Sequence, residues 1–182
     1  MIILGIDPGT ASTGWGVVRA DGNRLSSLGH GCIVTTTRDA TAARLQRIHE
    51  ELGSLLRRFR PDAMAVEELF VNVNVKTALT VGHARGVIML AAAEHGIDCV
   101  DYSPLTIKQA VTGYGRASKV QVQEMTKVLL ALDRIPHSDH AADALAVAIT
   151  HAHVARSGVA RAAAAAASPS DRDPRCPARV RR

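Results

Sequence analysis

The chain opens on Ile2-Ile3-Leu4-Gly5-Ile6, an unbroken apolar run rich in branched side chains, halted by Asp7 and the turn-forming Pro8-Gly9-Thr10. Such a run predicts a buried strand in the middle of a sheet. Residues 14–18 and 25–35 carry on the extended pattern, separated by Asp21-Gly22-Asn23, so an antiparallel meander is predicted. The period then changes. Leu45, Ile48, Leu52, Leu55, Leu56 and Phe59 fall on one face of a helix, with Arg44, Arg47, Glu51 and Arg58 on the others. Pro61 stops that helix, and residues 63–66 form a short buried strand running into Glu67-Glu68. A long helix over 74–95 ends at Gly96, and residues 99–102 form a fifth strand. Helical spacing returns at 105–111, 119–132 and 139–155. This order predicts an α/β fold, a mixed five-stranded sheet flanked by helices.

Length and composition narrow the class. A chain of 182 residues, 47% apolar, suits one globular domain, placed at residues 1–157. The remainder, 158–182, has six consecutive alanines from Ala162 and then Ser, Pro and Arg, a bias that predicts disorder. No apolar run reaches the length of a membrane span, and the apolar N-terminus lacks the basic lead of a signal peptide, so a cytoplasmic protein is expected. Cys32, Cys99 and Cys176 are far apart and imply neither disulfides nor a zinc site. The net charge of +5 is mostly the tail's, which holds six arginines against two aspartates. The body is nearly neutral, with sixteen basic residues against fifteen acidic ones, so a nucleic-acid site there depends on where the charges sit.

Three acidic positions stand in apolar company. Asp7 ends the first strand, Glu67 ends the strand at 63–66, and Asp143 interrupts Ala141-Ala142-Asp143-Ala144-Leu145-Ala146. A carboxylate at the edge of a core is costly unless a cation or donors compensate it. If the three converge, divalent metal relieves their repulsion most simply, and hard oxygen ligands suit Mg²⁺. His140 lies three residues before Asp143, on the same helical face. Each residue has a plainer reading as well. A strand-end Asp is ordinarily a turn former, Glu67 has Glu68 beside it, and His140 and Asp139 suit a helix start. Spacing alone leaves both readings open.

Larger blocks decide more. The segments Ile3-Leu4-Gly5-Ile6-Asp7-Pro8-Gly9-Thr10, Thr13-Gly14-Trp15-Gly16-Val17, Ala65-Val66-Glu67, Gly82-His83-Ala84-Arg85-Gly86-Val87, Ile107-Lys108-Gln109, Lys119-Val120-Gln121-Val122-Gln123 and Ala141 through His151 resemble, in order, the motifs of the RuvC family of Holliday junction resolvases. The resemblance runs from residue 2 to about 153 and leaves out the tail. It implies an RNase H-like fold, a homodimer, dependence on Mg²⁺ or Mn²⁺ with two ions per site, and paired symmetric nicks in four-way junction DNA. It also points to a branch-migration motor complex as partner. The family's metal-binding carboxylates fall on Asp7, Glu67 and Asp143. Its fourth active-site position, often aspartate, falls on His140, and a neutral imidazole there removes a negative charge and suits Mn²⁺. That imidazole can act as a ligand or help protonate the leaving group. Basic positions near the scissile phosphates fall on Lys108 and Lys119, and an aromatic that stacks on an opened base falls on Phe70.

Three other classes compete. Sugar kinases and actin-like phosphotransferases also begin with a strand leading to Asp-x-Gly-Thr, but they need two related domains and a second Gly-rich loop, which this chain does not offer. A non-catalytic DNA-binding module leaves three acidic element ends unexplained, because carboxylates repel phosphate. A related nuclease acting on RNA or another branched substrate shares fold and metal site, and stays closest.

Overall fold

The computed structural model describes residues 1–68 and 75–158. Strands β1 (Ile2–Asp7), β2 (Ser12–Asp21) and β3 (Arg24–Val34) form the expected meander, joined at Gly22, whose φ of 55° suits a residue without a Cβ. Helix α1 (Thr41–Phe59) follows, then β4 (Ala63–Glu67), α2 (Val75–Glu94) and β5 (Cys99–Tyr102). Three further helices complete the described chain: α3 (Pro104–Thr112), α4 (Lys119–Leu129) and α5 (Asp139–Arg156). The sheet order is β3-β2-β1-β4-β5, with β4 parallel to both β1 and β5. This is the mixed five-stranded sheet, RNase H-like in arrangement, that the apolar pattern and the motifs predict.

Alternation in β1 and β4 explains both layers. Leu4, Ile6, Met64 and Val66 face one side, where they pack with Ile48, Leu52 and Leu56 of α1 and Ile88 and Ala92 of α2. Ile3 and Ala65 face the other, where Leu145, Ala148 and Ile149 of α5 and Ile107 of α3 cover them. With both faces covered, the central strands have no polar face to show, and an unbroken apolar run is the consequence. Asp7 and Glu67 follow the parity of Ile3 and Ala65, so they belong to the α5 face.

Element boundaries depart modestly from expectation. The first helix begins at Thr41, three residues before Arg44, because residues 41–43 are polar or small and leave no apolar mark. It ends at Arg60, which takes the left-handed conformation and donates its N–H to the Leu56 carbonyl, one residue before Pro61. Helix α4 stops at Leu129 rather than residue 132. Leu130 is buried in the core, and Ala131 turns the chain with a φ of 50°. A capping box, Ser118 with Gln121, starts α4, and Ser103 with Pro104 starts α3. Phe70, Asn74 and residues 159–182 of the tail lie outside the described residues.

Candidate active site

The sheet register gathers the acidic residues. Ile6 of β1 lies opposite Val66 of the parallel β4, so Asp7 and Glu67 end neighbouring strands at the same level. Carboxyl ends of parallel strands are where α/β sheets place their ligands. Helix α5 brings the third. It crosses this face in direct contact with the strands because glycines lie beneath it. A Cβ on Gly5 would come within 2.0 Å of the Ala144 carbonyl oxygen, and one on Gly14 within 2.0 Å of the His140 carbonyl oxygen. Gly14 is also the cross-strand partner of Asp7. The missing side chains thus set the height of His140 and Asp143 over Asp7.

The site's contacts are specific. His140 Nδ1 lies 2.6 Å from Asp7 Oδ2. Lys119, at the first turn of α4, places its Nζ 3.1 Å from Asp143 Oδ2 and 3.1 Å from Asp139 Oδ2. The Gln123 amide donates to the other oxygen of Asp139. A cleft of about 220 Å³ opens beside the cluster, lined by Glu67, Asp143, Lys108 and Lys119 with Ile107 and Val122 as its apolar wall. Of the sequence-assigned residues, the fold therefore brings together Asp7, Glu67, His140, Asp143, Lys108 and Lys119. Phe70 lies outside the described residues.

Electrostatics mark the same point. Burial pushes the Glu67 carboxyl up from 4.5 to about 7, with the charges of Asp7 and Asp143 adding to it. Burial raises Asp7 too, against the opposing hydrogen bond and charge of His140. For Lys119 burial works downward, but its hydrogen bonds to Asp139 and Asp143 outweigh it and leave the ammonium firmly charged. Among the described residues, no group of three or more His, Cys, Asp or Glu is drawn tightly enough to hold one ion. Lys119 compensates Asp143, and His140 compensates Asp7. A half-buried carboxylate cluster in which Asp7 and Glu67 resist ionising is chemically suited to a divalent cation, which favours their ionised forms. The donor set fits such an ion.

Three residues escape sequence reasoning. Arg85 of α2 donates to the Glu67 main-chain carbonyl at 3.2 Å and pairs with Asp101 at 2.5 Å, tying the end of β4 to β5 and α2. It stands within a motif block, yet nothing in its spacing tells which strand end it will reach. Tyr102 and His151 are both buried and share a 3.0 Å hydrogen bond that ties β5 to α5.

Comparison with known proteins identifies the family. The crossover junction endodeoxyribonuclease RuvC family matches residues 3–151. The chain is 55% identical over 158 residues to the crossover junction endodeoxyribonuclease RuvC of Ruminiclostridium cellulolyticum, covering 87% of this chain and 95% of the relative. It is 56% identical over 160 residues to that of Heliobacterium modesticaldum, covering 88% and 99%. The Thermus thermophilus RuvC solved in complex with a Holliday junction substrate superposes with a TM-score of 0.84 at 40% identity, covering 87% of this chain and 96% of that one. With the match spanning nearly every described element, the chain belongs to the RuvC family of crossover junction endodeoxyribonucleases.

Proposed function

We propose that the protein resolves four-way DNA junctions by paired symmetric nicks, using divalent metal held at Asp7, Glu67 and Asp143. The observation that carries this reading is the convergence of three carboxylates at the carboxyl ends of β1 and β4 and on α5, with Glu67 raised to about 7 beside two lysines. Mg²⁺ or Mn²⁺, two ions per site, would supply Lewis-acid polarisation of the phosphate and a water of lowered pKa. The chain's own residues do the rest. Lys108 and Lys119 line the cleft and attract the phosphodiester, and Lys119 exchanges its partner in Asp143 for a phosphate oxygen as substrate arrives. Hydrolysis forms a bond from water oxygen to phosphorus and breaks the bond to the leaving sugar oxygen, which needs a proton. His140, already sharing a hydrogen with Asp7, serves as that proton's donor or as a further ligand. Phe70 supplies the stacking aromatic of the opened junction. The acting form is a homodimer in the cytoplasm, fed by a branch-migration motor complex; among the described residues no helix is long and apolar enough to cross a membrane.

The test is cleavage of a synthetic four-way junction against linear duplex, in Mg²⁺ and in Mn²⁺, for wild type and His140→Asp. Wild type is expected to cut the junction in preference to the duplex, with Mn²⁺ the better metal. His140→Asp is expected to shift the preference toward Mg²⁺. Equal cutting of both DNAs would point to a less selective nuclease on the same fold.

A further inference from the structure

At the start of α5, where Ser138 and Ala141 line it, lies a second hollow, of about 440 Å³. Its floor is the edge strand β3 at His30 and Gly31, and its wall is the segment 132–138 that leads into α5, together with Ala141. The volume is that of a small-molecule site. Several features show that it adjoins the reaction centre. Cys32 is the cross-strand partner of Gly14, which is the partner of Asp7, so the three lie in one row across the sheet. Cys32 Sγ meets Ser138 Oγ at 2.9 Å, pinning the wall of the hollow to that row. Ser138 and Ala141 flank His140 within a single helical turn.

The lining has a mixed chemistry. Arg134 and His137 are exposed, and so is His30 on the floor; none of the three side chains makes a hydrogen bond or ion pair with another described residue. Asp133 adds an acceptor, and Leu132, Ile135 and Pro136 add apolar surface. A phosphate subsite has no use for the carboxylate or the apolar wall. A nucleobase uses all of it, since its faces are apolar and its edge presents both donors and acceptors; Arg fits the acceptor edge of guanine, and Asp the amino group of cytosine.

We propose that this hollow receives the nucleobase next to the scissile phosphate in the cleaved strand, and that Arg134 and His30 read its edge. It is then a determinant of which sequences are cut. The inference rests on the nuclease reading of the Asp7–Glu67–Asp143 site, and it concerns residues outside that machinery.

The experiment measures single-turnover cleavage of four-way junctions varied one base at a time on each side of the cut, for wild type, Arg134→Ala and His30→Ala. Both residues are exposed, so the variants are expected to fold normally. Wild type should show a preference on the order of 10-fold at one flanking position. The variants should flatten that position and leave the preferences at the other positions, and the rate on the disfavoured base, unchanged. An unaltered preference profile in both variants overturns the proposal. If wild type cuts no junction, the nuclease reading fails separately. The hollow is then judged by equilibrium binding of short single-stranded oligonucleotides of four base compositions: a base-dependent Kd that Arg134→Ala abolishes supports it, and four equal wild-type Kd values overturn it.

Discussion

Asp7, Glu67 and Asp143 are each tolerable alone at the edge of a core, and become expensive together. Their proximity predicts separable effects on binding and catalysis. Asp7→Asn, Glu67→Gln and Asp143→Asn each remove a negative charge facing the phosphate, so junction binding in a gel shift should hold or tighten. Nicking should fall by at least 10²-fold. Parallel loss of binding and nicking would mean that the residue maintains the fold instead. Glu67 adds a pH effect. Its carboxyl is raised in the folded chain, so folding favours the protonated form. The stability this gives is complete below pH 4.5 and is lost as pH rises to about 7. That gap is worth about 3 kcal/mol. In a chelator, Glu67→Gln should match wild type at pH 4.5 and exceed its thermal stability at pH 8. Parallel melting curves across that range would refute this. Added Mg²⁺ should close the difference at pH 8 by stabilising wild type alone.

At the scale of elements, the decisive contact is the seat of α5 on β1 and β2. Gly14→Ala puts a methyl group where the His140 carbonyl oxygen already stands, 2.0 Å from the new carbon. Backbone meets backbone there, so the helix must shift, at a cost of about 1–3 kcal/mol or more. Nicking should fall much further than stability, because both His140 and Asp143 ride on the displaced helix. Gly53→Ala is the contrast. On α1 its Cβ would meet only the flexible end of Arg57 and a distant His95 ring, and it should leave activity intact. Thermal melts and single-turnover nicking for the pair check the argument. Equal activity in Gly14→Ala and wild type would show that α5 does not set the site's geometry.

Over the whole molecule, two symmetric cuts need two sites related by a two-fold axis. Helix α2 offers a surface for it. Ala84, Ile88, Ala91 and Ala92 are buried against the sheet, while Leu79, Met89 and Leu90 are exposed. Among the described residues, a Cβ on Gly82 or Gly86 would meet nothing within 4 Å, so these two glycines do not serve packing on the sheet. They leave a shallow place for a second copy to approach. Leu90→Asp should therefore yield monomer by sedimentation at micromolar concentration. Such a variant should still nick single strands, with the coordinated second cut lost. Monomeric wild type, with and without junction, would exclude this arrangement.

The sequence alone determined the layers and picked out the candidate carboxylates. An unbroken apolar strand must be covered on both faces, alternation assigns Asp7 and Glu67 to the face of Ile3 and Ala65, and helical spacing puts His140 beside Asp143. The ordered motif blocks carried the family. Tertiary structure decided what no local pattern encodes. Gly5 and Gly14 read locally as weak strand residues, and only the approach of α5, some 130 residues further along, shows what their bareness permits. Lys119 read alone is an ordinary solvated charge, and its role as counter-ion of Asp143 exists only once α4 packs beside α5. The same holds for Arg85 at the Glu67 carbonyl and for the hollow between β3 and residues 132–138. Periodicity reports which side of an element is buried. Which partner buries it, and which charges then share a low-dielectric space, depends on contacts between residues far apart in the chain.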